Sequence, residues 1–231
     1  MTCLALVAFV AVLLLLLPLS LTARRRMVRA LARVWFAVTL VRLDVRNRHF
    51  LDTQPAVVVA NHASYLDGII LKAVLPARFG FVIKREVTQV PLMHFLLRRI
   101  GSQFVERRNH FRGGRDAKRI IDLAKRGESV AIFPEGTFET KPGLAAFRPG
   151  AFKAAVEGQL DVVPIVIDGS RAMLSADHWL PRPGKLVITA LEPIAIEGHG
   201  REAMNRIASL SRNAILSVLD EPDLVSLESV E

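Results

Sequence analysis

Residues 57–71 read VVVANHASYLDGIIL, an aliphatic run followed at once by His62 and, five positions on, by Asp67. On an unbroken helix five residues turn through about 500°, which leaves the two side chains about 140° apart. A strand ending near Ala60, a turn through Asn61 and His62 and a helix opening near Ser64 would bring them together. His62 then projects from the carboxyl end of a strand, where open α/β sheets place their ligands. Asp67, in the first helical turn, can accept a hydrogen bond from one imidazole nitrogen and leave the other as a base toward a hydroxyl. Ser64 and Asp67 also form the pattern S-x-x-D, close to a capping box, so the same stretch reads equally well as a helix start with no chemistry.

Working outward, short β-rich runs alternate with helical ones. Strands are expected at 56–60, 79–84, 102–106, 129–133, 162–167 and 185–190, with helices at 115–128, 149–158 and 201–219. This alternation predicts an α/β fold with a mostly parallel central sheet flanked by helices. Pro149 and Gly158 punctuate one helix at its two ends, and Gly127 stops another.

The 231 residues suffice for one core plus an appendage. Half of the chain is apolar (51%), the mean hydropathy is +0.32, and yet the net charge is +9. That pairing points to an anionic membrane surface as partner. Nucleic acid is the competing reading of basicity, but one Tyr and two Trp offer little stacking and no RNA- or DNA-binding signature occurs. The single cysteine, Cys3, excludes an intrachain disulfide and a cysteine-based metal cluster.

Residues 3–22 carry no charge and as a helix would span about 30 Å, the thickness of a bilayer's hydrocarbon core. A cleaved signal peptide would begin with a basic segment, whereas the first charge here is Arg24, so a retained anchor is expected. Arg24, Arg25, Arg26, Arg29 and Arg33 then place this flank, and the body behind it, on the cytoplasmic side of the membrane. Residues 27–41, with Arg29 and Arg33 on one face and Trp35 at headgroup level, read as an interfacial helix, with a second short inserted helix as the alternative. The expected organisation is an anchor and interfacial helix over 1–45, an α/β domain over 46–220 and a frayed acidic tail over 221–231.

A second motif, AIFPEGTFET at 131–140, runs a hydrophobic strand into Pro134, Glu135, Gly136 and Thr137, setting backbone amides, a hydroxyl and a carboxylate at the same sheet edge. With the His-Asp turn, the chain resembles the glycerophospholipid acyltransferases related to 1-acylglycerol-3-phosphate acyltransferase. NHASYLD looks like that family's N-H-x-x-x-x-D block, GSQFVERR like its second block, FPEGT like its third and VVPIVI like its fourth, in the same order. FVIKRE and FRPGAF also fit, and the likeness covers roughly residues 25–195.

The resemblance implies His62 as general base and Asp67 as its orienting partner. Arg107 would grip the acceptor's phosphate, with Asn61, Glu135, Gly136 and Thr137 at the same pocket and Lys84 and Arg148 as weaker phosphate candidates. It implies direct attack of a lysophospholipid hydroxyl on a thioester of coenzyme A or acyl carrier protein, without acyl-enzyme, metal or other cofactor. Backbone amides near the turn would meet the oxyanion. Many members carry a basic residue directly after the third block, where this chain has Phe138, Glu139 and Thr140, and this leaves the acceptor's head group open.

Arg98 and Arg99, following the apolar PLMHFLL, read as an interfacial patch, with His94 a bystander. A lipid or thioester hydrolase and a non-catalytic lipid-binding protein are the other classes. No G-x-S-x-G elbow occurs, against the usual α/β-hydrolase plan, and no H-E-x-x-H spacing supports a metal.

Overall fold

The sheet forms because five short strands are apolar enough to be buried on both faces. In the computed structural model, which describes residues 17–52, 55–106, 110–138, 140–174, 182 and 184–228, these are joined by two more strands. The strands are β1 (Leu43–Arg46), β2 (Val57–Ala60), β3 (Gly80–Lys84), β4 (Gln103–Val105), β5 (Val130–Ile132), β6 (Val162–Asp168) and β7 (Leu186–Ala190). The helices are α1 (Leu21–Val38), α2 (Asp67–Val74), α3 (Pro91–Arg99), α4 (His110–Lys125), α5 (Gly150–Gly158), α6 (Ser170–Met173), α7 (Gly200–Leu216) and α8 (Leu224–Glu228). Strand order is β1-β7-β6-β2-β5-β3-β4. The run β6, β2, β5, β3, β4 is parallel, and β7 reverses against β6 with β1 parallel to it.

β2 lies in the middle, in register with β5 (Val57 beside Val130) and β6 (Val57 beside Val162), and all four of its residues are buried. Two covered faces account for a run of VVVA rather than an alternating pattern. Val58 and Ala60 pack under α1 and α2 with Trp35, Phe36, Ile70 and Leu71. Val57 and Val59 pack on the other face against Ile120 of α4, Phe152 of α5 and Ile207 of α7. The sheet thereby carries the carboxyl ends of β2 and β5, with both motifs, side by side.

The N-terminal segment differs from its expected form. Most of the apolar run 3–22 lies outside the described residues, but Pro18–Ser20 are not helical, and Ser20 caps a new helix by accepting from the Ala23 N–H at 3.3 Å. No helix among the described residues is long and apolar enough to cross a membrane. Arg25, Arg29 and Arg33 of α1 find partners within the protein. Arg25, almost fully buried, donates to the carbonyls of Ile100 and Arg78, each at 2.9 Å. Arg29 donates to Val74 O at 3.1 Å and Arg33 to Ala73 O at 2.9 Å, so both cap the carboxyl end of α2 and complement its dipole. Trp35, expected at headgroup level, is buried edge-to-face on Phe36 at 4.7 Å. β1 pairs with β7, and Trp35 and Phe36 of α1 join the core on one face of the sheet.

The tail also docks. Leu144 N–H donates to Pro222 O at 2.8 Å, and Leu224 N–H donates back to Leu144 O at 3.2 Å. Glu221 takes a bidentate pair from Arg171 at 2.7 and 2.9 Å, plus the Gly143 N–H at 2.8 Å. Arg212 holds Asp223 and the carbonyls of Leu144 and Ala145. A Cβ at Gly143, whose φ is +140°, would lie 2.5 Å from Leu224, so the close approach needs glycine there.

Candidate active site

β2 ends at Ala60, and the next side chain, Asn61, continues the sheet in place of backbone. Its amide donates to Ile167 O at 2.9 Å and accepts from Ile167 N at 2.7 Å, so Asn61 is buried in the β2–β6 seam. The chain then turns, and His62 Nδ1 sits 2.9 Å from Asp67 Oδ2. The same oxygen accepts the N–H groups of Ala63 at 2.7 Å and Ser64 at 2.8 Å. Asp67 is fully buried, and its Oδ1 has no partner among the described residues. One carboxylate thus closes the turn and fixes the imidazole, through the bonds from Ser64 N–H and Nδ1; the helix cap expected at Ser64 is not formed, because α2 opens at Asp67 with Leu66 as its N-cap and no side-chain cap bond. Ser64 Oγ accepts from Leu66 N at 3.0 Å and donates to Leu174 O at 2.5 Å, tying the turn to the chain after α6.

The imidazole is 17% exposed. It stacks on Phe133 at 4.1 Å between centroids and meets the edge of Phe138 at 4.6 Å, and Phe138 in turn meets Tyr65 at 4.8 Å. Nε2 has no hydrogen bond to any described residue. With Nδ1–H held by a carboxylate, Nε2 is left as acceptor, the tautomer a general base requires. No local pattern marks these three aromatic neighbours, because only the fold brings residues 65, 133 and 138 to the ring.

Glu135 comes from the turn after β5. One oxygen accepts the His62 N–H at 2.7 Å and the other the Ala145 N–H at 2.8 Å, and only 6% of the residue is exposed. Burial pushes its carboxyl up to about 7, against the two N–H donors that favour the ionised form, with Asp67 and Glu221 adding to the rise. Gly136, at φ +84°, makes the turn by donating to Phe133 O at 3.1 Å, and Thr137 is exposed at its rim. Arg148 is exposed, its N–H on Pro134 O at 2.8 Å and its guanidinium 3.4 Å from Glu135 O. Lys84, also exposed, ends β3 at the same sheet edge.

The amides of His62, Ala63 and Ser64 all donate to carboxylates. These three are therefore not free to meet an oxyanion. Arg107 lies outside the described residues. The chain just before it is fixed by Asp116, a buried acid unremarked in the sequence, which accepts the Glu106 N–H at 2.8 Å, Arg85 at 3.2 Å and Arg119. No group of three or more His, Cys, Asp or Glu among the described residues is arranged to hold a metal ion.

A family model described as Acyltransferase matches residues 42–168, more than half the chain and the whole of the site above. The chain belongs to the acyltransferase family. Among curated relatives of this acyltransferase-family chain, 1-acyl-sn-glycerol-3-phosphate acyltransferase alpha of Mus musculus is 31% identical over 188 residues, covering 78% of this chain and 65% of that one. The 1-acyl-sn-glycerol-3-phosphate acyltransferase of Saccharomyces cerevisiae is 24% identical over 184 residues, covering 78% and 61%. The chain thus spans slightly under two thirds of the length of these relatives. The crystal structure of the 1-acyl-sn-glycerophosphate (LPA) acyltransferase, PlsC, from Thermotoga maritima superposes with a TM-score of 0.71 at 20% identity, covering 84% of this chain and 79% of that one, and it shares the fold.

Proposed function

We propose that this acyltransferase-family chain moves a fatty acyl group from a thioester of coenzyme A or acyl carrier protein to the free hydroxyl of a lysophospholipid, lysophosphatidic acid first among the acceptors. The reaction runs at the cytoplasmic face of a membrane. His62 Nε2 takes the acceptor's hydroxyl proton as its oxygen attacks the thioester carbonyl. The new C–O bond forms, the C–S bond breaks, and the proton leaves with the thiolate. Asp67 holds the imidazole by Nδ1–H and supports its charge as it becomes imidazolium. Lys84, Thr137 and Arg148, at the same sheet edge, would meet the acceptor's phosphate, and Arg107 is the further candidate that the resemblance implies. Asn61, Glu135 and Gly136 act through the backbone, holding the two turns in register.

The observation that carries this reading is the 2.9 Å Nδ1–Oδ2 bond on a ring whose other nitrogen is unbonded among the described residues. The names of the relatives above favour the lysophosphatidic acid acceptor. The Phe133–Phe138 walls favour transfer over hydrolysis, because they shield the imidazole from water. Labelled acyl-CoA and acyl carrier protein thioesters, each offered with a panel of lysophospholipids to the detergent-purified protein, test it. Acylated lipid is expected. Free fatty acid as the sole product would turn the reading to a hydrolase, and the absence of both products would overturn acyl transfer and favour a binding protein.

A further inference from the structure

α3 turns large apolar side chains outward as well as toward the sheet. None of its residues is buried. Leu92 is 55% exposed, with Met93, Phe95 and the preceding Val90 exposed beside it. His94, polar, is instead turned toward the sheet, its ring edge-on to Phe104 at 5.2 Å. A helix on a water-facing surface is polar on its outer face, so this exposed apolar cluster marks an interaction surface. At the far end Arg98 and Arg99 follow, and Arg99 donates to Leu17 O at 2.9 Å. Leu17, Leu19 and Leu21, all exposed, extend the apolar surface from that point. Leu17 is also where the uncharged residues 3–16 join the described chain.

We propose that α3 is a second membrane contact, docking on anionic phospholipid with Leu92, Met93 and Phe95 among the acyl chains and Arg98 at the phosphates. The inference rests on the reading of a membrane-surface enzyme and adds to it a named surface. The occupant is a bilayer, and not a protein, for two reasons. The apolar face is continuous, through the Arg99–Leu17 bond, with the exposed Leu17, Leu19 and Leu21, which follow an uncharged run in the sequence. Its end is cationic on a chain of net charge +9, which complements an anionic lipid surface. α3 begins close after β3, at the sheet edge that carries His62, so docking along its length would hold that edge near amphiphilic substrates.

The test uses the full chain with Cys3→Ser and, one at a time, Leu92→Cys, Phe95→Cys and, as a control on the opposite side of the sheet, Arg201→Cys. Each is labelled with an environment-sensitive thiol fluorophore. The proteins are bound to vesicles of phosphatidylglycerol or of phosphatidylcholine and sedimented. Labels at 92 and 95 are expected to brighten severalfold, shift to the blue and be quenched by brominated lipid, while the label at 201 stays water-like. Arg98→Gln is expected to reduce the difference between the two lipids. Protein that sediments with vesicles while labels at 92 and 95 stay water-like overturns α3 docking and leaves the membrane reading intact. Protein that does not sediment overturns that reading and this inference with it. Shielding that rises with protein concentration and is insensitive to brominated lipid shows a second copy on α3, and overturns the proposal.

Discussion

Asp67→Asn separates the charge of Asp67 from its shape. Oδ2 accepts three donors, His62 Nδ1 and the N–H groups of Ala63 and Ser64 at 2.9, 2.7 and 2.8 Å. The two backbone donors cannot face an amide nitrogen, so they force the Asn oxygen into the Oδ2 position. The imidazole therefore keeps Nδ1–H and its tautomer, and what is lost is the negative charge. At about 4 Å between charge centres and an effective dielectric near 20, an ion pair is worth about 4 kcal/mol, and exchanging a charge-assisted for a neutral hydrogen bond costs about 1 kcal/mol. A transition state with a partly formed imidazolium feels some of each, which puts the fall in kcat between about tenfold and a thousandfold. KM for either substrate should stay within about twofold, because the lost interaction belongs to the transition state. The Asn NH₂ enters the buried Oδ1 position, which has no partner among the described residues, so stability should also fall by about 1–3 kcal/mol. Single-turnover thiol release from acyl-CoA measures the chemical step, and urea unfolding measures the rest. A kcat within threefold of wild type in folded Asp67→Asn would refute the reasoning, since no imidazolium would then depend on that carboxylate.

Glu135 carries a folded-state value near 7 against an ordinary 4.5, so the folded state binds the extra proton between those two values. Stability conferred by the wild type should therefore decline as pH rises from about 4.5 to 7, by an amount on the order of 3 kcal/mol, and Glu135→Gln should flatten that slope in urea unfolding at pH 5 and 7.5. Glu221→Gln breaks the bidentate pair with Arg171 and loosens the loop that supplies Ala145 to Glu135; we expect a loss of about 1–3 kcal/mol in thermal unfolding and a lower kcat at unchanged KM. Gly143→Ala should destabilise by more than about 1 kcal/mol through its contact with Leu224, and Leu224→Ala in the same chain should recover part of it. Arg33→Ala should cost about 1 kcal/mol by uncapping α2, with vesicle sedimentation unchanged.

The contrast between what could and could not be read from the residues follows the range of each interaction. The β2–turn–α2 stretch was legible because its two partners are five residues apart and the strand and helix patterns leave one way to join them. β2 to β7 were found within a residue or two by their β-branched runs. β1 escaped because LDVR is short and gains its stability only from β7, with Leu43 beside Leu186. The arginines of α1 read as a membrane flank because a charge run after an apolar one shows no partner, yet their acceptors are carbonyls 40 to 75 positions away. Glu135 showed a carboxylate beside a glycine. That it accepts from backbone on two loops, and so positions His62, depends on Ala145 and on a tail whose acids pair with Arg171 and Arg212.

The most direct trial of general-base acyl transfer is the rate at which His62→Ala forms acylated lysophosphatidic acid from acyl-CoA, beside wild type at equal protein and equal circular dichroism. Among the described residues His62 contributes its side chain to the Asp67 bond and the aromatic stack, and its N–H to Glu135 survives the substitution, so the variant should fold. Removal of a general base lowers the rate by about a hundredfold to ten-thousandfold, and a drop of that size, with lysophosphatidic acid binding retained, is expected. Product formed by His62→Ala at the wild-type rate would show that the proton is taken elsewhere, and the mechanism drawn from this site would fall.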